Sequence, residues 1–172
     1  CACLVGSEMC IRDSNITINS NSNDIKEMEK LFPRAPLKII AMEGCKELGQ
    51  KVNDYIVNFR QSSYREELKS PMYATYLQDN YLVDAHCPRF GSGEAKGVLN
   101  ESVRGKDLFI MTDVCNYSLT YSVNGYVNHM SPDDHYQDLK RLISAANGKE
   151  HRLNIIMPFL YESRQHLSLI HI

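Results

Sequence analysis

The chain has 172 residues, a hydrophobic fraction of 43%, a charged fraction of 23% and a formal net charge of -2. That length admits one domain with a sizeable buried core, and the near-neutral charge argues against a general nucleic-acid binder, which carries a basic excess. No apolar run approaches the length needed to span a bilayer, so neither nucleic acid nor membrane is expected as a partner.

The two ends read differently from the rest. The opening CACLVGSEMCIRDS lacks the basic leader of a secretory signal, and Glu8, Arg12 and Asp13 interrupt any apolar stretch within it. A DNA string encoding Met9 to Ser14 (ATG TGT ATA AGA GAC AGN) has a reverse complement that, shifted by one base, encodes Leu167 to Ile172. Both ends therefore read as translated sequencing-library transposon adapter. Residues 1–14, expected to be disordered, and residues 167–172 are accordingly set outside the fold. Cys1, Cys3 and Cys10 go with them, leaving Cys45, Cys87 and Cys115, which are widely spaced and lack a C-x-x-C pair. Such cysteines read as small buried residues in a reducing cytosol, which predicts a cytoplasmic protein. The sequons at Asn15, Asn100 and Asn116 carry no meaning in that compartment.

Residues 15–36 form a polar, Asn/Ser-rich lead-in that turns helical near Asp24. Folded structure is expected from Leu37-Lys38-Ile39-Ile40-Ala41, a short apolar run suited to a buried strand, with Pro36 at its entrance. After Glu43-Gly44, apolar residues at Leu48, Val52, Tyr55, Ile56 and Phe59 mark one face of a helix. Residues 60–80 are mixed and polar, broken by Pro71. Residues 81–89 alternate loosely and read as a strand, GSGEAKG at 91–97 is a glycine-punctuated turn, and Val98-Leu99 begin the return strand. Together 81–104 predict a hairpin or flap. Arg104-Gly105-Lys106-Asp107 reads as a polar turn before Leu108-Phe109-Ile110-Met111, a run typical of a parallel strand covered on both faces.

Ser131-Pro132-Asp133-Asp134 is a helix start: serine caps, proline suits the first turn and the acids favour the positive helix end. Leu139, Leu142, Ile143 and Ala146 continue its apolar stripe, Gly148 closes it, and Leu153-Asn154-Ile155-Ile156-Met157 reads as another buried strand. Strand, helix, flap, strand, helix, strand predicts an α/β fold with a mostly parallel sheet.

Taken alone, the residues offer little chemistry. GSGEAKG lacks both G-x-G-x-x-G spacing and a Walker lysine-serine. His129, His135, Asp133 and Asp134 could be grouped as a metal cluster, but the helix start explains both aspartates more simply. His86-Cys87 has no spaced partner pair and reads as strand surface. Phe90 by itself would be core or hairpin packing. Arg164 gains interest only from its place at the carboxyl end of an α/β sheet, where ligands collect.

Three segments in order carry a resemblance. The first is Leu37-Lys38-Ile39-Ile40 with its following helix. The second is Arg89-Phe90-Gly91-Ser92-Gly93-Glu94, followed by Asn100-Glu101-Ser102-Val103-Arg104-Gly105-Lys106-Asp107-Leu108-Phe109-Ile110. The third is Met157-Pro158-Phe159 through Ser163-Arg164-Gln165. The chain resembles the N-terminal half of the ribose-phosphate pyrophosphokinase (PRPP synthetase) family over residues 37–166, with its R-F-x-D-G-E, E-S-V-R-G-x-D-V-F-I and P-Y-x-x-x-R-Q-D motifs. The resemblance implies a three-layer, phosphoribosyltransferase-like domain of an enzyme that moves diphosphate from ATP to ribose 5-phosphate, giving PRPP and AMP. It further implies Mg²⁺ entering with ATP and a hexamer-like homo-oligomer.

For individual residues, the resemblance has Phe90 stacking on adenine, with Ser92, Gly93 and Glu94 reading the polar edge of the base across a subunit boundary. Arg164 and Gln165 would meet ATP from the other side, and Ser102 and Arg104 match positions of an effector phosphate site. Ser92 and His166 stand where the family has aspartates, and Tyr161-Glu162-Ser163 replace smaller residues. The family's metal-binding histidine, catalytic lysine-arginine loop and acidic ribose-phosphate loop lie beyond the matched segment. No catalytic residue and no metal ligand is therefore assigned within this chain, and the segment alone is expected to be inactive. Two other readings stay open: a non-catalytic regulatory homologue acting as a binding subunit, and an unrelated flavodoxin-like nucleotide binder.

Overall fold

The computed structural model of the chain describes residues 35–62 and 75–163. Expectations for the two adapter-like ends, for residues 15–34 including the helix near Asp24, for Pro71, and for Arg164, Gln165 and His166 lie outside the described residues. All elements below belong to one unit, residues 33–161.

Strand β1, Leu37–Ala41, pairs in parallel with β4, Asp107–Met111, and β4 pairs in parallel with β7, Arg152–Ile156. Ile39 stands opposite Phe109, which in turn stands opposite Asn154. Because successive strand side chains point to opposite faces, β4 divides its apolar residues between two cores. On one face Leu108 and Ile110 join Ile40, Val83, Leu139, Leu142 and Ala146. On the other, Met111 joins Ile39, Cys45 and Tyr81, with Val52, Ile56, Val57 and Phe109 packed against them. Helix α1, Lys46–Ser62, supplies the second face after a short 3-10 turn at Glu43–Cys45; helix α2, Pro132–Ala146, supplies the first. The result is the expected mixed α/β arrangement, a parallel sheet between two helices.

Helix α2 begins and ends as its sequence predicts. The Ser131 hydroxyl oxygen accepts the Asp134 backbone N–H, and the Asp134 carboxylate accepts the Ser131 backbone N–H at 2.9 Å, a reciprocal capping box. Asn147 (φ 59°) and Gly148 (φ 63°) turn the chain left-handed at its end.

Helix α1 differs from expectation in phase. Gly49 and Asn53 are buried and Val52, Ile56 and Val57 half-buried, whereas Leu48, Tyr55 and Phe59 are exposed. Two contacts set this rotation. A Cβ at Gly49 would stand only 2.4 Å from the Ala41 Cβ, so the helix lies directly on β1 at that point. One turn on, Asn53 Oδ1 accepts the Tyr81 backbone N–H at 2.8 Å, a polar pairing that hydrophobic spacing does not register.

The 81–89 segment is only partly a strand. Leu82 bridges in parallel to Ile39, held by Ile39 N–H to Tyr81 O and Val83 N–H to Ile39 O, each 2.8 Å. The chain then leaves the sheet to form β2, Ala85–His86, antiparallel to β3, Val98–Leu99. This is the expected flap. A second hairpin, β5 (Thr120–Val123) and β6 (Tyr126–His129), lies in a stretch whose hydrophobic pattern predicts no element. Its signal is Asn124-Gly125, both at positive φ (51° and 82°), the residue pair favoured in two-residue hairpin turns.

Asp107 is a further correction. It is the first residue of β4 and 8% exposed, not part of a solvated turn. It accepts hydrogen bonds from Arg152 Nη2 (2.7 Å) and His151 Nδ1 (3.2 Å). Among the described residues no helix is long and apolar enough to cross a membrane.

Two outcomes follow from these contacts. A Cβ at Gly97 would lie 2.3 Å from the Arg141 carbonyl oxygen, where the hairpin meets the helix backbone. Gly97→Ala should therefore cost about 1–3 kcal/mol by forcing the hairpin off α2, read as a lower urea midpoint; an unchanged midpoint would contradict the close approach. For Asp107, burial pushes the carboxyl up, but the hydrogen bonds and charges of Arg152 and His151 outweigh it and hold the group below its usual range. A depressed folded value means stabilisation that is complete above the ordinary aspartate range, roughly pH 4, and is lost as pH falls through the folded value. Since the Arg152 side chain is 59% exposed, the contribution is about 1 kcal/mol or less. Thermal midpoints taken downward from about pH 6 to about pH 3 should drop more steeply for the parent than for Asp107→Asn, and parallel curves would remove this assignment.

Candidate functional site

The β2–β3 hairpin carries the residues singled out at 90–94. Beyond the two paired strands, Arg89 bridges Ala95, the Phe90 N–H donates to Glu94 O at 2.7 Å and the Gly93 N–H to Phe90 O at 2.9 Å. These bonds close a three-residue loop, and Gly93 occupies the left-handed position (φ 89°) that such a loop requires. Phe90 is 51% exposed at its base. Ser92 and Glu94 are also exposed, and the Ser92 hydroxyl donates to Glu94 Oε2 at 3.2 Å. The loop thus presents an aromatic ring beside a carboxylate, a combination suited to a flat ring with polar hydrogens on its edge.

What fixes this loop comes from elsewhere in the chain. Arg89 donates from Nη2 to Asp138 Oδ2 at 2.9 Å, and Arg141 donates from Nη1 to Asp138 Oδ1 at 2.5 Å. Asp138 is 6% exposed, on the inward face of α2. The Arg89 guanidinium also lies 4.6 Å from the Tyr121 ring centroid, a cation–π contact with the second hairpin. The Cys87 thiol donates to the Asp138 carbonyl at 3.7 Å; burial, then the Asp138 charge, push it up to about 11. At the tip, Asn124 and Val123 border Gly91 and Gly93. None of these partners was singled out by sequence reasoning, because Arg89 and Asp138 are 49 residues apart.

The hairpin root and the carboxyl ends of β1 and β4 line one cleft of about 300 Å³, reached by Met42, Glu43, Thr112, Asp113 and His135. The Thr112 hydroxyl, in a residue only 1% exposed, has no hydrogen-bond partner among the described residues. His135 Nε2 donates to Asn116 O at 2.8 Å and His129 Nδ1 to Tyr117 O at 2.9 Å, so both rings brace the loop before the second hairpin.

Ser102 and Arg104 sit elsewhere, on the turn entering the amino end of β4. Both are exposed on either side of buried Val103, and the Arg104 N–H donates to Ser102 Oγ at 3.4 Å. Gly105 at φ 66° closes the turn, with its N–H on Lys149 O at 2.8 Å. The structure therefore brings 90–94 together as one loop and 102–104 as another. Among the described residues no three of His, Cys, Asp and Glu form a group that could hold a metal ion. Asp134 is committed to the α2 cap and Asp133 accepts from the Tyr161 hydroxyl.

No curated protein matches the chain. A family model described as the N-terminal domain of ribose phosphate pyrophosphokinase matches residues 37–168, more than half of the chain, and takes in the sheet, both helices and both loops. On that match, the chain belongs to the ribose phosphate pyrophosphokinase N-terminal domain family.

Proposed function

We propose that this domain supplies the ATP-facing part of a ribose-phosphate diphosphokinase, which moves diphosphate from ATP to ribose 5-phosphate to form PRPP. The observation that carries this reading is Phe90, a large aromatic ring left half in solvent on a loop closed by two backbone hydrogen bonds. An adenine stacked there would remove apolar surface from water. Glu94, with Ser92 hydrogen-bonded to it, would accept from the exocyclic amine. Arg164 would offer permanently charged, planar donors to phosphate, beside Gln165. Mg²⁺ bound to the incoming ATP would supply neutralisation of phosphate charge.

The same reading makes Ser102 and Arg104 an exposed anion contact for an effector phosphate. It also makes the working unit a homo-oligomer in which the 90–94 loop serves a neighbouring subunit, in a cytoplasmic setting. On this reading the chain by itself binds ATP without turning it over.

The test is ATP titration by calorimetry with Mg²⁺ present. Phe90→Ala and Arg164→Ala should each weaken binding by about tenfold, the equivalent of losing one base stack or one phosphate contact. Unchanged affinity in both variants would overturn the nucleotide reading. Incubation of the chain with ATP, ribose 5-phosphate and Mg²⁺ should release no AMP above background; sustained AMP release would place transfer groups within the chain.

A further inference from the structure

The geometry points to Asp138 as the positioning residue of the 90–94 loop, acting through Arg89, and so to helix α2 as the element that orients Phe90. This rests on the reading of that loop as nucleotide-facing. Beyond Arg89, Phe90, Gly91, Ser92 and Glu94 are exposed, the loop's own backbone bonds close it only upon itself, and its tip merely borders Asn124 and Val123. The charged anchorage of the loop lies at its root. There Arg89 is held on both of its aspects. The backbone bridges Ala95 across the hairpin, and the guanidinium lies between the Asp138 carboxylate and the Tyr121 ring.

The Arg89 and Asp138 side chains are 10% and 8% exposed, so solvent screens the pair little. Arg141 occupies the other carboxylate oxygen and prevents Asp138 from rotating away. The same turn of α2 also offers its backbone to the hairpin, at the Arg141 carbonyl facing Gly97 and the Asp138 carbonyl facing Cys87. A carboxylate that joins two arginines from two different elements specifies one orientation more narrowly than apolar packing, because charged hydrogen bonds are directional.

Amide hydrogen exchange on the whole chain tests this without requiring nucleotide. Asp138→Asn should speed exchange of the Phe90 and Gly93 amides by about tenfold or more, while the Ile110 amide of β4 stays within about twofold. Asp138→Glu, which keeps the charge, should recover part of the protection. Equal acceleration at Phe90, Gly93 and Ile110 would mean general destabilisation and would overturn the proposal, as would no acceleration at the loop. Should Asp138→Asn fail to fold, Arg89→Lys carries the same test, since it keeps the charge and loses the planar fork. ATP titration separates the two levels. Parent affinity that weakens with Asp138→Asn supports both, and parent affinity that does not weaken overturns the positioning role. Loop exchange that responds in a parent chain with no ATP affinity supports positioning and refutes the nucleotide reading.

Discussion

Strand β4 is hydrogen-bonded along both edges, to β1 and β7, and packed by a helix on each face. Five residues, Asp107–Met111, thus bear contacts from four directions. Parallel pairing requires both edges to be supplied by segments distant in the chain, because each return needs a crossover. The crossovers are where this chain spends its helices and its two hairpins. With β1 and β4 in register, their carboxyl ends fall side by side, and Met42 and Thr112 emerge at a common cleft. That cleft is a consequence of the alignment.

Helix α2 links this scaffold to the loop. Its inward face mixes Leu139, Leu142 and Ala146, which seal the core, with His135 and Asp138, which do not belong in one on hydropathy alone. Each polar group has a partner, His135 on Asn116 O and Asp138 on two arginines, which offsets the desolvation that burial imposes. Through them, one helix ties down both excursions from the sheet. The 116–130 segment is braced by His135, and the 85–99 hairpin is braced by Asp138. Thr112 contrasts with them, a buried hydroxyl without a hydrogen-bond partner among the described residues, at the cleft those excursions enclose.

Much of this was legible in order of local strength. The apolar runs at 37–41 and 108–111, the capped start of α2 at Ser131 and the glycine turn at 91–97 each depend on neighbours within a few residues, and each formed where expected. The Arg89-to-Glu94 motif drew attention to Phe90 by resemblance, and the structure places that ring in solvent on a closed loop. The second hairpin was also signalled locally, by Asn124-Gly125, although β6 is exposed at all four residues and so shows no apolar alternation to draw attention to it.

The amino-acid sequence by itself determined which segments extend, which coil and where the chain turns, since propensity, capping and positive φ act over one to four residues. Only the tertiary structure decided which side of α1 is buried, because Gly49 meets Ala41 and Asn53 meets Tyr81 across the fold. It alone turned Asp107 from a solvated turn residue into a buried ion-pair partner, by bringing Arg152 to it from 45 residues away. It likewise decided that Asp138 would hold Arg89, a pairing across 49 residues. Periodicity records that a residue alternates, not what stands opposite it, and charges find their partners only after the crossovers have closed.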